Sequence, residues 1–228
     1  MIKAIIFDWD DVFTLGSTQA YYACYYETAM RLGLSLSKEE ANARIKSKWG
    51  GTIQQELGAL IGEHTTLLPQ AMKIYHEIIM GNMFVDFLTL VRGSDELLEW
   101  LSPQYELAIV SGIYPKLLVE KVFPKFKIKN VFSTITTVYD LGDLQHGKPH
   151  PYMVYKTLDA LRVEAKDVIL VGDAANDMKM AIAAGVTPIA VLTGHLNREE
   201  ALALGVRYIL DDVTKLRNLL LESPTFRS

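Results

Sequence analysis

The sequence predicts an α/β fold, a Rossmann-like, doubly wound parallel sheet with an inserted α-helical cap domain. Two observations lead to this prediction. Short apolar runs alternate with helical patterns, as in βαβ units. Residues 17–90 interrupt that alternation, because they contain helical patterns and no convincing strand. We therefore expect a core domain of residues 1–15 and 91–228, and a cap domain of residues 16–90.

The predicted strands are short and continuously apolar. Ala4–Phe7 does not alternate with polar residues, which is typical of a strand buried on both faces of a parallel sheet. Four later runs of similar character predict further strands: Tyr105–Val110, Val168–Val171, Pro188–Val191 and Arg207–Leu210. Helical patterns separate them, at Pro115–Phe123, Pro151–Leu161 and Ala174–Ala184.

The cap is predicted to be helical throughout. Ser37 followed by acidic residues is a typical helix N-cap. Apolar residues at helical spacing predict three other helices, at Gln19–Leu32, Ile53–Ile61 and Leu67–Phe87. An insertion after the first strand is expected over the carboxyl end of the sheet, where open α/β sheets bind ligands.

Composition excludes several classes of protein. The 228 residues carry 23 Lys and Arg against 27 Asp and Glu, and a net charge of −4 argues against nucleic-acid or membrane partners. A single cysteine, Cys24, excludes an internal disulfide and a Cys-rich zinc module. No run reaches the ~18 apolar residues of a membrane helix, and no secretory signal pattern is seen. We expect a cytoplasmic protein.

Polar residues follow three of the predicted strands. They are Asp8 and Asp10, then Ser111 and Gly112, then Asp173 and Asp177. Because parallel strands end at one edge of the sheet, carboxylates from two strands should face each other, and a lysine, a shared proton or a divalent cation must offset their repulsion. Oxygen ligands with no His or Cys nearby favour Mg²⁺ over zinc. Lys148, in a proline-rich turn, and the amides after Ser111 add positive potential, which suits a phosphate group.

These residues, in this order, resemble the motifs of the haloacid dehalogenase (HAD) superfamily. The resemblance covers nearly the whole chain and is closest to the branch of phosphoglycolate phosphatase and β-phosphoglucomutase, which has a helical cap after the first strand. The motifs are Asp8-x-Asp10, Ser111-Gly112, Lys148-Pro149 and Gly172-Asp173-x-x-x-Asp177.

The resemblance implies a role for each aspartate and a Mg²⁺ cofactor. Asp8 matches the nucleophile that becomes an aspartyl phosphate, and it would also bind the metal. Asp10 matches the general acid and base, and its backbone carbonyl would bind the metal. Asp173 matches a metal ligand, whereas Asp177 is either a direct ligand or a partner of one.

The remaining motif residues match phosphate-binding groups. Ser111 and the Gly112 amide correspond to donors that bind the transferring phosphoryl group, although Ser111 could also cap the next helix. Lys148 corresponds to the lysine that holds the nucleophile and the phosphoryl oxygens together. One departure is notable: Asp11 stands where the family usually has a flexible glycine. We expect it to affect the geometry of this turn and the rate, but not the type of chemistry.

Substrate choice is expected to lie in the cap. The segment Lys46–Thr52 is a basic, glycine-broken turn, and similar family members use such a turn to contact the leaving group. We hypothesise that Lys48, Trp49 or Thr52 contacts the substrate. The alternative is a solvated loop with Trp49 packed inside the cap.

The resulting hypothesis is a Mg²⁺-dependent phosphatase acting on small phosphorylated metabolites. A sugar phosphomutase would use the same residues and retain the phosphoenzyme for longer. A phosphonatase would need a Schiff-base lysine from the cap, for which Lys48 is the best candidate. A phosphate-ester-binding regulator without activity is a fourth alternative. The oligomeric state stays open.

Overall fold

The protein is described by a computed structural model that covers residues 1–49, 51–223 and 225–226. Among these residues, six parallel strands form the main sheet, and two short strands that flank the helical insertion form a separate antiparallel pair. In chain order the strands are β1 (Ala4–Phe7), β2 (Thr14–Leu15), β3 (Thr89–Leu90), β4 (Glu106–Ser111), β5 (Thr134–Thr137), β6 (Val168–Gly172), β7 (Thr187–Val191) and β8 (Tyr208–Leu210).

The strand order places β1 at the point where the sheet changes direction. The order is β5-β4-β1-β6-β7-β8, and every neighbouring pair is parallel. After β1 the chain adds β4 and β5 on one side of this strand, and then adds β6, β7 and β8 on the other side. The direction of growth therefore changes between β1 and β6. Ligands of doubly wound sheets bind at the carboxyl ends of the strands at such a switch point. The predicted doubly wound α/β fold is confirmed.

The predicted strands form, and the structure adds others. β5 was missed because its sequence, Thr-Ile-Thr-Thr, is not an apolar run. The prediction that residues 17–90 contain no strand is wrong at their end, since β3 pairs with β2 through Leu90 opposite Thr14 and Thr89 opposite Leu15. Two-residue strands are too short to leave a periodic pattern in a sequence.

The described part of the insertion contains five α-helices. They are α1 (Ser17–Arg31), α2 (Lys38–Lys46), α3 (Ile53–Ile61), α4 (Leu68–Ile79) and α5 (Met83–Phe87). Ser37 caps α2 as predicted, because its hydroxyl accepts the Glu40 amide while the Glu40 carboxylate accepts the Ser37 amide. The single helix predicted over Leu67–Phe87 is wrong, because the chain turns at Met80–Asn82 between α4 and α5.

Other helices of the described residues lie outside the insertion. They are α6 (Ser94–Leu101), α7 (Pro115–Leu117), α8 (Phe123–Phe126), α9 (Tyr152–Leu161), α10 (Ala175–Ala183), α11 (Arg198–Ala203) and α12 (Leu216–Glu222). A π-helical turn, Leu118–Val122, joins α7 to α8. No helix among the described residues is long and apolar enough to cross a bilayer.

The chain divides into two compact units. The sheet unit comprises Met1–Leu15, Thr89–Pro115 and Phe126–Ser228, and the helical unit comprises Gly16–Leu88 together with Lys116–Lys125. The sequence had assigned residues 116–125 to the core domain. Within the helical unit the Lys125 ammonium group donates a hydrogen bond to the Val85 carbonyl of α5, which ties the second segment to the first.

A buried polar network lies inside the helical unit. The Tyr25 hydroxyl donates a hydrogen bond to the Glu56 carboxylate, and the Tyr25 ring stacks on Tyr75 with centroids 4.5 Å apart. Burial is the largest of the causes that raise the pKa of Tyr25 well above its usual value. Burial also raises the pKa of Cys24 to about 12, so this cysteine is a neutral thiol of the helical core.

Gly16 offers a test of how the first helix of the insertion begins. Gly16 has φ +92°, and a Cβ there would lie 2.6 Å from the Phe87 carbonyl oxygen. Gly33 has a similar φ of +75°, and apart from its chain neighbours no described residue has an atom within 4 Å of such a Cβ. Gly33→Ala should therefore lower the free energy of unfolding by about 1 kcal/mol, which is the cost of a side chain in the left-handed conformation. Gly16→Ala should lower the free energy of unfolding by about 2–4 kcal/mol, because the new methyl group would also collide with the Phe87 carbonyl oxygen.

Urea unfolding followed by circular dichroism measures both variants against the wild type. Equal destabilisation by the two substitutions would contradict the close approach of Gly16 to Phe87.

Candidate active site

The turn after β1 presents the first aspartate. The Trp9 amide donates to Asp8 Oδ1 at 2.8 Å, which orients this carboxylate at the end of the strand. Trp9 is fully buried and stacks on Phe13 with ring centroids 5.0 Å apart. Asp10 and Thr14 form an isolated β-bridge, so backbone pairing closes the turn. Aromatic packing and backbone pairing together fix the positions of both predicted aspartates.

The end of β6 presents the second pair of aspartates. Asp173 and Asp177 are buried, and the Ala174 amide donates to Asp177 Oδ2 at 3.1 Å across the first turn of α10. A Cβ on Gly172 would lie 2.5 Å from the Asp177 Cβ, so only glycine allows this helix to start so close to the strand. Asp8 and Asp173 follow neighbouring strands at the switch point of the sheet.

Lys148 connects the two strand ends. Its Nζ lies 3.0 Å from Asp8 Oδ1 and 2.7 Å from Asp177 Oδ1, and its side chain is only 15% exposed. Burial alone lowers the pKa of Lys148, but the charges of Asp177 and Asp8 outweigh it and hold the pKa above its usual value. The lysine is therefore a fixed positive charge between two carboxylates.

Repulsion among the carboxylates appears in their pKa values. Burial, and then the charges of Asp177 and Asp8, raise the pKa of Asp173 well above its usual value. Burial also raises the pKa of Asp177, although the charge of Lys148 opposes the shift. One lysine does not offset this concentration of negative charge, so the site favours binding of a cation.

The geometry fits a hard divalent cation. Asp8, Asp173 and Asp177 each offer a carboxylate oxygen, and these three oxygens lie within 4.8 Å of one another. An all-oxygen set of this kind suits Mg²⁺. The Asp10 carboxylate is not a member of this group; its expected contribution was a backbone carbonyl. Asp177 lies with the metal-binding oxygens and also pairs with Lys148, so its role as a direct ligand stays a prediction.

Ser111 and Gly112 lie at the end of β4, next to β1 in the sheet. Ser111 is buried, and its Oγ accepts the Ile113 amide at 3.2 Å. This is a local turn within the loop and not a cap of the helix that begins at Pro115. Apart from its two chain neighbours, no described residue has an atom within 4 Å of the position that a Cβ on Gly112 would take, which leaves open space beside its backbone.

The three cap residues predicted to contact substrate belong to the helical unit. Trp49 packs against the rings of Tyr21 and Tyr22, with centroids 6.1 and 4.8 Å apart. Thr52 caps α3 by accepting the Gln55 amide, and Lys48 is exposed. These contacts match the alternative in which Trp49 packs inside the cap; the contact with substrate stays a prediction. Gly50, within the same turn, lies outside the described residues.

A comparison with protein families identifies this arrangement. The model of haloacid dehalogenase-like hydrolases matches residues 5–191, which is most of the chain and includes all the motif residues. The chain belongs to the haloacid dehalogenase-like hydrolase family. Solved structures agree with this assignment of the fold: a haloacid dehalogenase-like hydrolase from Streptococcus pneumoniae superimposes with a TM-score of 0.73 at 18% identity, covering 96% of this chain and 98% of that one.

Curated relatives of this HAD-like chain carry two kinds of name. A phosphonoacetaldehyde hydrolase from Lysinibacillus sphaericus is 41% identical over 25% of this chain, and a phosphoglycolate phosphatase from Rhodospirillum rubrum is 38% identical over 34% of it. These matches span only 23% and 32% of the lengths of those proteins. A phosphonoacetaldehyde hydrolase from Paraburkholderia phytofirmans is 25% identical over 83% of this chain and 74% of that protein.

Sequence reasoning missed a group of residues beside Asp173 in this HAD-like site. His195 lies in the loop after β7, its amide donates to Asp173 Oδ2 at 3.1 Å, and its Nε2 lies 4.0 Å from Asp11 Oδ2. The expectation that no histidine lies near the aspartates is therefore wrong. β7 is next to β6, so the rule that parallel strands end at one edge would have found this loop.

Replacing Asp173 should stabilise the protein in the absence of metal. Its folded-state pKa lies above the unfolded-state value, so the free energy of unfolding falls as pH rises from the lower value to the higher one. At pH 7 this carboxyl opposes folding, and Asp173→Asn should raise the free energy of unfolding by about 1–3 kcal/mol.

The measurement is urea unfolding at pH 7 in EDTA. Asp159→Asn, at an exposed position of α9, is the matched control and should change the free energy by less than about 0.5 kcal/mol. A less stable Asp173→Asn protein would show that the carboxylates are not in conflict.

Proposed function

We propose that this HAD-like chain is a Mg²⁺-dependent phosphatase that hydrolyses small phosphate monoesters through an aspartyl phosphate on Asp8. The observation that carries this proposal is the convergence of Asp8, Asp173 and Asp177 with Lys148 at the switch point of the sheet. Phosphoryl transfer depends chiefly on positioning and on neutralisation of charge, and this cluster is suited to both. The substrate would be a small phosphorylated metabolite in the cytoplasm.

Two displacements would complete the reaction. In the first, an Asp8 oxygen attacks phosphorus, the bond from phosphorus to the leaving oxygen breaks, and Asp10 donates a proton to that oxygen. In the second, Asp10 takes a proton from water, the water oxygen attacks phosphorus, and the aspartyl phosphate breaks to regenerate Asp8 and release phosphate. Covalent catalysis thus divides one difficult displacement into two easier ones.

The other residues would bind and orient the phosphoryl group. Lys148, held against Asp8, would donate to a phosphoryl oxygen while keeping the nucleophile in place. Because Ser111 Oγ accepts the Ile113 amide, its hydroxyl proton can be donated to a second oxygen. The open side of the Gly112 backbone leaves room for the same group.

The cation site would be formed by Asp8, Asp173 and Asp177, together with the Asp10 carbonyl. A bound Mg²⁺ would neutralise the carboxylates and polarise the phosphoryl group. Support for the cation comes from the raised pKa values of Asp173 and Asp177, which reflect burial and unbalanced negative charge.

Phosphate release from a panel of phosphate monoesters tests this proposal. We expect turnover with Mg²⁺ and none in EDTA. Asp8→Asn should lower kcat by about 10³-fold or more, because it removes the nucleophile while preserving its shape. The exposed Asp159→Asn serves as the control and should retain wild-type activity. Metal-independent turnover, or an active Asp8→Asn protein, would refute the mechanism.

The same panel separates the phosphatase from two alternatives. Phosphorus NMR of a reaction with a sugar phosphate should show inorganic phosphate and no isomerised sugar phosphate; an isomer would indicate a phosphomutase. A regulator that only binds phosphate esters would release no phosphate from any of them while still binding Mg²⁺.

Hydrolysis of a carbon–phosphorus bond is the second candidate function. It is favoured by the relatives named phosphonoacetaldehyde hydrolase, one of which aligns over 83% of this chain. That reaction would need a Schiff-base lysine, and Lys48 is the candidate from the sequence. Its exposed side chain lacks the burial that commonly activates such lysines, so the phosphatase is the proposal we favour.

Borohydride trapping distinguishes the two reactions. With phosphonoacetaldehyde and sodium borohydride, a Schiff-base lysine would be alkylated and detected by mass spectrometry. We expect no adduct, and no difference between Lys48→Ala and the neighbouring control Lys46→Ala. An adduct that disappears only in Lys48→Ala would establish the phosphonatase instead.

A further inference from the structure

The loop Thr193–Leu196 follows β7 and contacts two parts of the site. Because β7 pairs with β6 in parallel, this loop begins at the edge of the sheet where Asp173 lies. Its first contact is with Asp173: the His195 amide donates to Oδ2 at 3.1 Å, and the Leu196 amide donates to the Asp173 carbonyl at 2.8 Å. The backbone of the loop therefore holds both ends of this residue.

Gly194 lies directly against the carboxylate. A Cβ at this position would be 1.8 Å from Asp173 Oδ2 and 2.5 Å from its Cγ, so any side chain would displace the carboxyl group. The backbone of Gly194 is not in the left-handed region, which means that its requirement for glycine is steric alone. Asp173 can hold its position only because residue 194 has no side chain.

The second contact of the loop is with the turn after β1. Thr193 Oγ1 donates to the Asp11 carbonyl at 2.5 Å. Asp11 has φ +55°, and its amide donates to the Thr14 carbonyl at 2.8 Å. A non-glycine residue in this conformation needs such support from its surroundings. The hydroxyl of Thr193 thus braces the turn that presents Asp10.

We infer that Gly194 and Thr193 are positioning residues for the phosphoryl-transfer reaction, an inference that rests on the proposed function. Gly194 sets the position of the Asp173 carboxylate for metal binding. Thr193 holds the turn of Asp10 and Asp11 in the geometry needed for proton transfer. The two residues contact different parts of the site: Gly194 lies against Asp173 after β6, and Thr193 contacts the turn of Asp10 and Asp11 after β1.

The expected loss of metal affinity can be estimated from other protein metal sites. Loss of a residue that orients a metal ligand typically weakens binding by about 10–100-fold. Gly194→Ala should weaken Mn²⁺ binding by a factor in this range, measured by calorimetry on the full chain. Gly58→Ala is the matched control, since a Cβ on Gly58 would meet no described atom within 4 Å beyond its chain neighbours and its own helix backbone; it should bind Mn²⁺ like the wild type. Unchanged affinity in Gly194→Ala would overturn the inference.

A second pair of variants guards against misfolding of Gly194→Ala. His195→Pro removes the amide that donates to Asp173 Oδ2, whereas His195→Ala keeps it. We expect weaker Mn²⁺ binding in His195→Pro and wild-type affinity in His195→Ala. Equal loss in both would assign the effect to the imidazole and overturn the role of the loop backbone.

Fluorine NMR of protein labelled with 5-fluorotryptophan tests whether the Thr193 hydroxyl supports the turn after β1. The chain has three tryptophans, of which Trp9 lies in the turn and Trp49 and Trp100 lie elsewhere. Thr193→Val should shift or broaden the Trp9 signal alone, and lower kcat about tenfold or more. Thr193→Ser keeps the hydroxyl and should restore both. An unperturbed Trp9 signal in Thr193→Val would overturn this part.

Failure of the proposed function is distinguishable from failure of this inference. Absence of phosphate release in the wild type would refute the phosphatase and leave the Mn²⁺ and fluorine measurements interpretable. A wild-type protein that is active, with Gly194→Ala and Thr193→Val indistinguishable from it, would refute the inference alone.

Discussion

The balance between carboxylates and one lysine governs this site. Asp8, Asp173 and Asp177 are brought together because β1 and β6 are neighbours and end at the same edge of the sheet. Lys148 neutralises only part of their charge, and the raised pKa of Asp173 records the remainder. The arrangement requires features that lower local stability, including a glycine at position 172 and the burial of Lys148. The site is therefore a strained part of the fold that a cation would relieve, which is common where function and stability compete.

The convergence of the aspartates could be predicted from the sequence because one rule of parallel sheets connects sequence to space. Strand ends converge, so the aspartates after the first and third apolar runs were expected to meet, and they do. Lys148 was singled out as a source of positive potential in a proline-rich turn, but nothing in that turn indicates which strand end it would reach, and its specific role came from the family resemblance. Its pairing with Asp177 as well as Asp8 depends on the path of the turn, which local patterns do not encode.

The features that were missed have different causes. β5 and the pair β2–β3 are too polar or too short to leave a periodic signal. Thr193 and His195 escaped notice because the strand-end rule was not applied to β7, although its apolar run had been recognised. No sequence pattern indicates the importance of Gly194, because it arises from a close approach to Asp173 that only three-dimensional coordinates reveal.

The composition of the helical unit bears on how such enzymes diversify. Cap domains are natural units for exchange between relatives, and a single insertion could be transplanted by joining its two ends. Here the unit also includes Lys116–Lys125, whose last residue holds the Val85 carbonyl. A transplant limited to Gly16–Leu88 would leave that carbonyl without its lysine and expose the surface that the second segment covers. Recombination that preserves folding must therefore carry both segments, so the cap and the stretch after the Ser111 loop are expected to be inherited together.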